Sequence, residues 1–163
     1  RYRQFHLGAE DVERVKKLLQ ETRPHQVYAT GGDSDPSAVQ AKSFSVFETA
    51  LRQVADEPWV KDCYVWQYRS DGNEWAVHHV DMSVPCSPDE LKVKAQAIFQ
   101  HRSQRSQMPV LDGERSEVWE QAISRNRATA DLFDRLGMAE YEAIECFVRW
   151  RPSGLGQSAG AKA

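Results

Sequence analysis

The order of local signals between residues 9 and 56 restricts the fold more than any other feature: helix, strand, polar turn, helix. From Ala9 to Arg23 the apolar residues Val12, Val15, Leu18 and Leu19 mark one stripe of a helix. Glu10 and Asp11 sit in its first turn, where acids suit the helix dipole, and Pro24 stops it. His25 to Thr30 reads as a short strand. The polar turn Gly31-Gly32-Asp33-Ser34-Asp35-Pro36-Ser37-Ala38-Val39-Gln40 follows, and a second amphipathic helix carries Val39, Phe44, Phe47, Ala50, Leu51 and Val54 to about Asp56. This order predicts an α/β domain whose strands run parallel across a helical crossover. Ligands of such domains sit where strand carboxyl ends pass into helices, so residues 31–40 are where a site belongs.

Beyond Asp56-Glu57-Pro58-Trp59, which reads as a turn, residues 62–68 form a β-prone run rich in aromatics. Residues 74–84 alternate as a strand would, which puts His78 and His79 on opposite faces, and Pro85 is expected to end it. Ser87-Pro88-Asp89-Glu90 is a capping box, opening a helix with Leu91, Ala95, Ile98 and Phe99 that runs to about Arg102. A longer helix is predicted from about Glu114 to Leu136, with Val118, Ala122, Ile123, Leu132 and Phe133 inward and Gly137 at its C-cap. Its middle, Ser124-Arg125-Asn126-Arg127, is unusually polar for a helix that must pack. Residues 141–150 form a last strand, and residues 152–163, rich in Gly, Ser and Ala, are expected to be a disordered tail. The expected organisation is therefore a lead-in over residues 1–8, one domain over 9–151 and the tail.

At 163 residues the chain is long enough to bury a core without staples. Its 21 basic and 24 acidic residues give a formal charge of −3, which argues against a phosphate-backbone binder and so against nucleic acid as partner. No apolar run approaches the roughly 20 residues that span a bilayer. Cys63, Cys86 and Cys146 are odd in number and widely spaced, so a reducing compartment is the expectation: cytoplasm, or an organelle matrix if the chain is processed at Arg1. Arg1 in place of Met leaves two possibilities, processing or a piece of something longer.

Candidate chemistry is sparse. Residues 31–40 hold no histidine, cysteine, lysine or arginine. Asp33 and Asp35 could act as base or metal ligand, or simply shape the turn and cap the helix. No phosphate loop, dinucleotide fingerprint or nucleophile elbow is present. His101 beside Arg102 and Gln104 is as readily a catalytic group as a cap on the helix C-terminus.

A set of phrases adds what spacing does not. Pro24-His25-Gln26-Val27-Tyr28-Ala29, Asp35-Pro36, Glu57-Pro58-Trp59, Glu74-Trp75, His78, Asp81-Met82, Ser87-Pro88-Asp89, His101 with Ser103-Gln104, Arg125-Asn126-Arg127-Ala128-Thr129-Ala130 and Glu140 to Glu145 recur together. The set resembles the LmbE-like, or PIG-L-type, deacetylase domain found behind glucosamine-6-phosphate deaminase in some bacterial proteins. The resemblance implies a Rossmann-like α/β fold of which this chain holds the C-terminal part, the N-terminal half being absent. It also implies zinc-dependent removal of an acetyl group from an N-acetylglucosamine-type sugar. The family's first metal motif has no counterpart here, and in the second, where Asp35-Pro36 match, Ser37 and Gln40 stand in the two histidine positions. Serine and a neutral amide are poor zinc ligands beside imidazole.

The expectation is thus a degenerate domain without zinc or catalysis, a pseudoenzyme kept as a binding or structural module and possibly a subunit of a larger assembly. Its loop Asp33, Asp35, Ser37, Gln40 would be vestigial, with His101, Gln104 and His78 as candidates for a sugar pocket. The alternative is the C-terminal portion of an active amino-sugar enzyme whose catalytic residues lie on other sequence. In either case another protein chain, or the missing half, is the expected partner, and five tryptophans are available either as core or as anchors for it.

Overall fold

The computed structural model describes residues 7–30, 38–69, 74–101, 118–138 and 140–151. The chain divides into two compact units, residues 1–71 with 148–163, and residues 72–147.

In the first unit α1 spans Ala9–Thr22. The Gly8 N–H donates to the Asp11 carboxylate at 2.9 Å, which fastens its start. At its end Arg23 turns into the left-handed region (φ 43°) and its N–H reaches the Leu19 carbonyl at 2.8 Å, one residue ahead of Pro24. Val12, Val15 and Leu19 pack inward. Leu18, expected on the same stripe, lies about 100° round the helix from Leu19 and is 57% exposed.

Strand β1 (Gln26–Ala29), helix α2 (Ala38–Gln53) and strand β2 (Tyr64–Gln67) follow. Strands β1 and β2 run parallel, Gln26 opposite Tyr64 and Ala29 opposite Gln67, as the crossover order predicts. Between α2 and β2 the expected plain turn is a 3-10 helix over Pro58–Asp62. The last residues of strand β4 (Ala143–Trp150) lie antiparallel to β2, Val65 opposite Trp150. Leu19, Ala50, Leu51, Val54 and Val65 form the core, joined by Val27, Trp59 and Trp150. Each such large aliphatic side chain removed from water contributes about 2 kcal/mol. Phe44 meets Trp150 edge to face, ring centroids 5.2 Å apart, an arrangement the aromatic quadrupoles favour.

The second unit departs from expectation at its start. Residues 74–84 are not one strand: Val77–His79 coil into a 3-10 helix, held by His79 N–H to Ala76 O at 2.8 Å, and strand β3 covers only Met82–Cys86. Pro85 does not end that strand but lies within it, opposite Ile144. The strand order β1-β2-β4-β3 leaves β3 at an edge, where a proline is tolerated. Helix α3 (Pro88–Phe99) opens on the predicted capping box: the Glu90 N–H donates to Ser87 Oγ at 3.3 Å and the Ser87 N–H to the Glu90 carboxylate at 2.7 Å. It stops at Phe99, short of the expected Arg102.

Helix α4 (Val118–Arg135) closes as predicted at Gly137. Gly137 has φ 78°, its N–H reaches Asp134 O at 2.8 Å, and Met138 N–H reaches Phe133 O at 3.0 Å. Those two bonds satisfy carbonyls the last turn would leave open. Phe133 is buried, but Leu132, expected inward with it, points away and is 37% exposed. Two small cores result: Ala130, Phe133, Ile144 and Cys146, and Leu91, Ile123 and Ala143. Among the described residues no helix is long and apolar enough to cross a membrane.

Candidate functional site

The loop on which the sequence reading centred falls largely outside the described residues, Asp33, Asp35 and Ser37 among them. Gln40 is half-buried in the first turn of α2. His101 follows the end of α3 and is exposed, while Gln104 lies outside the described residues. His78 and His79 are exposed, but not on opposite faces: the 3-10 turn brings their rings to 4.1 Å between centroids. A strand would have separated them, and the tighter turn does not.

What the second unit does bring together is a half-buried set of charges around the fully buried Asn126. Arg125 and Asn126 come from α4, Lys94 from α3, Glu145 from β4, and Glu74 from the segment before the 3-10 turn. Asn126 is fully buried and its amide donates to the Ile144 carbonyl at 3.1 Å, tying helix to strand. Its Oδ1 accepts from Lys94 Nζ at 2.6 Å, and Lys94 is also paired with Glu145 Oε2. Arg125 stands between two carboxylates, Nε 3.6 Å from Glu74 Oε2 and Nη2 3.7 Å from Glu145 Oε1. With both carboxyls ionised, two acids balance two bases and the set needs no further counter-ion.

Glu74 is its least settled member. Oε1 accepts the Trp75 N–H at 3.0 Å, whereas Oε2 is buried and accepts no hydrogen bond among the described residues. Burial accordingly pushes the Glu74 carboxyl above the usual range, against the pull of the Trp75 N–H and the Arg125 guanidinium. The signals for this set in the sequence are the polar Arg125-Asn126 in the middle of a packing helix and the Glu74-Trp75 and Glu140 to Glu145 phrases; Lys94 reads as an ordinary polar position of a helix.

The cysteines play no visible part in a site. All three are free thiols, Cys146 buried and Cys63 and Cys86 half-buried. Burial raises all three pKa values, that of Cys146 to about 11.

Asp33, Asp35 and Ser37, where the resemblance expects a metal loop, lie outside the described residues. Nowhere among the described residues do three or more His, Cys, Asp or Glu side chains gather as a zinc site requires. Gln40, one of the two positions where the resemblance expects imidazole, offers only an amide.

The architecture defines an α/β protein with a mixed sheet and four α-helices among the described residues. No family model matches the chain. It is similar to a glucosamine-6-phosphate deaminase-like protein of Bacteroides thetaiotaomicron, with 39% identity over 144 residues. That alignment takes in 87% of this chain but 22% of the relative, so the chain spans about a fifth of the length of the curated protein it matches.

Proposed function

We propose that this chain acts as part of a longer LmbE-like, PIG-L-type amino-sugar protein, contributing structural and sugar-pocket residues while zinc ligands and catalytic groups reside on other sequence. The observation that carries the reading is the 39% identity, sustained over 144 residues, to a fragment of a protein named for glucosamine-6-phosphate deaminase. The α/β architecture is compatible with it. In this reading His101, Gln104 and His78 belong to the sugar pocket, and the Glu74–Arg125–Glu145–Lys94 set holds α3 and α4 against β4.

The test is titration of the chain with glucosamine 6-phosphate and with N-acetylglucosamine, followed by NMR of the histidine rings. Saturable shifts at His101 that vanish in His101→Ala are expected. Absence of binding to both sugars overturns the pocket assignment.

A second reading is favoured by Ser37 and Gln40 standing where the resemblance expects two imidazoles: a degenerate domain without zinc or catalysis, retained for binding. Stoichiometric zinc on the purified chain together with deacetylation of N-acetylglucosamine would eliminate it.

A further inference from the structure

The 3-10 turn over Val77–His79 is held on every side but the one that faces solvent. The His79 N–H reaches Ala76 O at 2.8 Å and the Val80 N–H reaches Val77 O at 3.1 Å. Beneath it Val77 and Val80 pack with Trp75 against Ala130, Phe133, Ile144 and Cys146. Directly after it the Asp81 N–H reaches Phe147 O at 3.0 Å, where the pairing of β3 with β4 begins. Anchored on its apolar side, the turn presents His78 and His79 outward, both exposed, their rings 4.1 Å apart between centroids and tilted by 58°.

Neither imidazole is hydrogen-bonded or ion-paired among the described residues, so the nitrogens of both rings are open to a ligand. Two neutral imidazoles side by side offer two lone pairs, which a transition-metal ion accepts together. Two nitrogens bound to one such ion at about 2.0–2.1 Å stand roughly 3 Å apart, a spacing that rings at this separation and tilt offer. A closed zinc site takes four ligands, and no third protein ligand joins the pair among the described residues. Nickel(II) and copper(II) instead take tetragonal sets of nitrogen and oxygen, in which water fills the positions the protein leaves open, and both stand above the earlier ions in affinity.

We infer that His78 and His79 form a two-imidazole chelate for a divalent late first-row ion, nickel(II) or copper(II). Fixing both rings on a core-anchored turn before the ion arrives removes much of the ordering cost that two independent histidines would carry. None of the positions at which the resemblance expects zinc ligands takes part. The chelate shares His78 with the sugar-pocket reading but rests on none of the observations that support that reading.

The experiment titrates the full chain with nickel(II) chloride near neutral pH by calorimetry and follows the histidine ring protons by NMR. One equivalent is expected to bind, and the paramagnetic ion should broaden the His78 and His79 rings ahead of the others. His78→Ala and His79→Ala should each weaken binding roughly tenfold or more, because a single imidazole loses the second, intramolecular attachment. His25→Ala, at an exposed position of the first unit, should leave binding unchanged. Affinity should fall on acidification, since imidazole binds a metal only when neutral. If an alanine variant fails to fold by circular dichroism, the broadening pattern of the parent chain decides. Broadening shared equally with His25 and His101, the mark of an adventitious ion only, overturns the inference. So does a folded single variant that keeps the parental affinity, or a parent that binds no better than the double variant. Titration with glucosamine 6-phosphate in metal-free buffer is read at His101, so loss of the sugar pocket and loss of the chelate are separate results.

Discussion

The side-chain amide of Asn126, on α4, donates to the backbone carbonyl of Ile144, on β4, at 3.1 Å, with neither side chain exposed to water. The same Asn126 accepts from Lys94, so one residue joins two helices to a strand. Asn126→Leu would take a donor from the buried Ile144 carbonyl and one of the two acceptors from the half-buried Lys94 ammonium, which keeps Glu145. A loss of about 1–3 kcal/mol is expected, that of one buried unsatisfied group. Urea unfolding measures it, as a drop in midpoint at unchanged slope.

Glu74 sets a pH dependence. Its carboxyl is held above the ordinary value of 4.5 by burial, so the folded chain binds this proton more tightly than the unfolded chain. The stabilisation that follows is complete below 4.5 and is lost as pH rises through the folded-state pKa. Glu74→Gln keeps the shape and removes the titration. Its stability relative to the parent should therefore rise over the window just above pH 4.5, and a relative fall there would contradict the assignment.

Gly137 closes α4 at φ 78°, where a side chain is strained, but a Cβ there would meet no atom within 4 Å. Gly137→Ala should thus lose only the backbone preference, about 1 kcal/mol. A thermal shift much larger than a few degrees would show that the end of α4 has contacts not accounted for.

Cys146 is buried and its pKa stands at about 11, so its thiol is protonated and shielded at neutral pH. Iodoacetamide should label it at least a hundredfold more slowly in the native chain than in denaturant, with mass spectrometry of the peptide as readout. Rapid native labelling would mean that the β3–β4 region opens readily.

Much of the order of elements was legible in the sequence. The stop at Pro24, the parallel pairing of β1 and β2 across α2, and the Ser87 capping box all arise from contacts within a few residues or from a connection rule. The errors have a shared cause. Leu18 and Leu132 each precede a core residue by one position, and apolar character alone did not tell which neighbour a helix turns inward. His78 and His79 sat in an alternating pattern that also suits a 3-10 turn followed by a short edge strand, because a period of two over a few residues is weak discrimination.

By itself the sequence determined the α/β class, the element order and the likeness to amino-sugar proteins, because periodicity, caps and recurring phrases are carried along the chain. Only the tertiary structure decided that Glu74, Lys94, Arg125 and Glu145 gather around the buried Asn126, and that Tyr28, Tyr64 and Trp66 share a face. Those groupings join residues as much as 71 positions apart, Glu74 to Glu145, and strand register with helix packing, not local spacing, sets which of them meet.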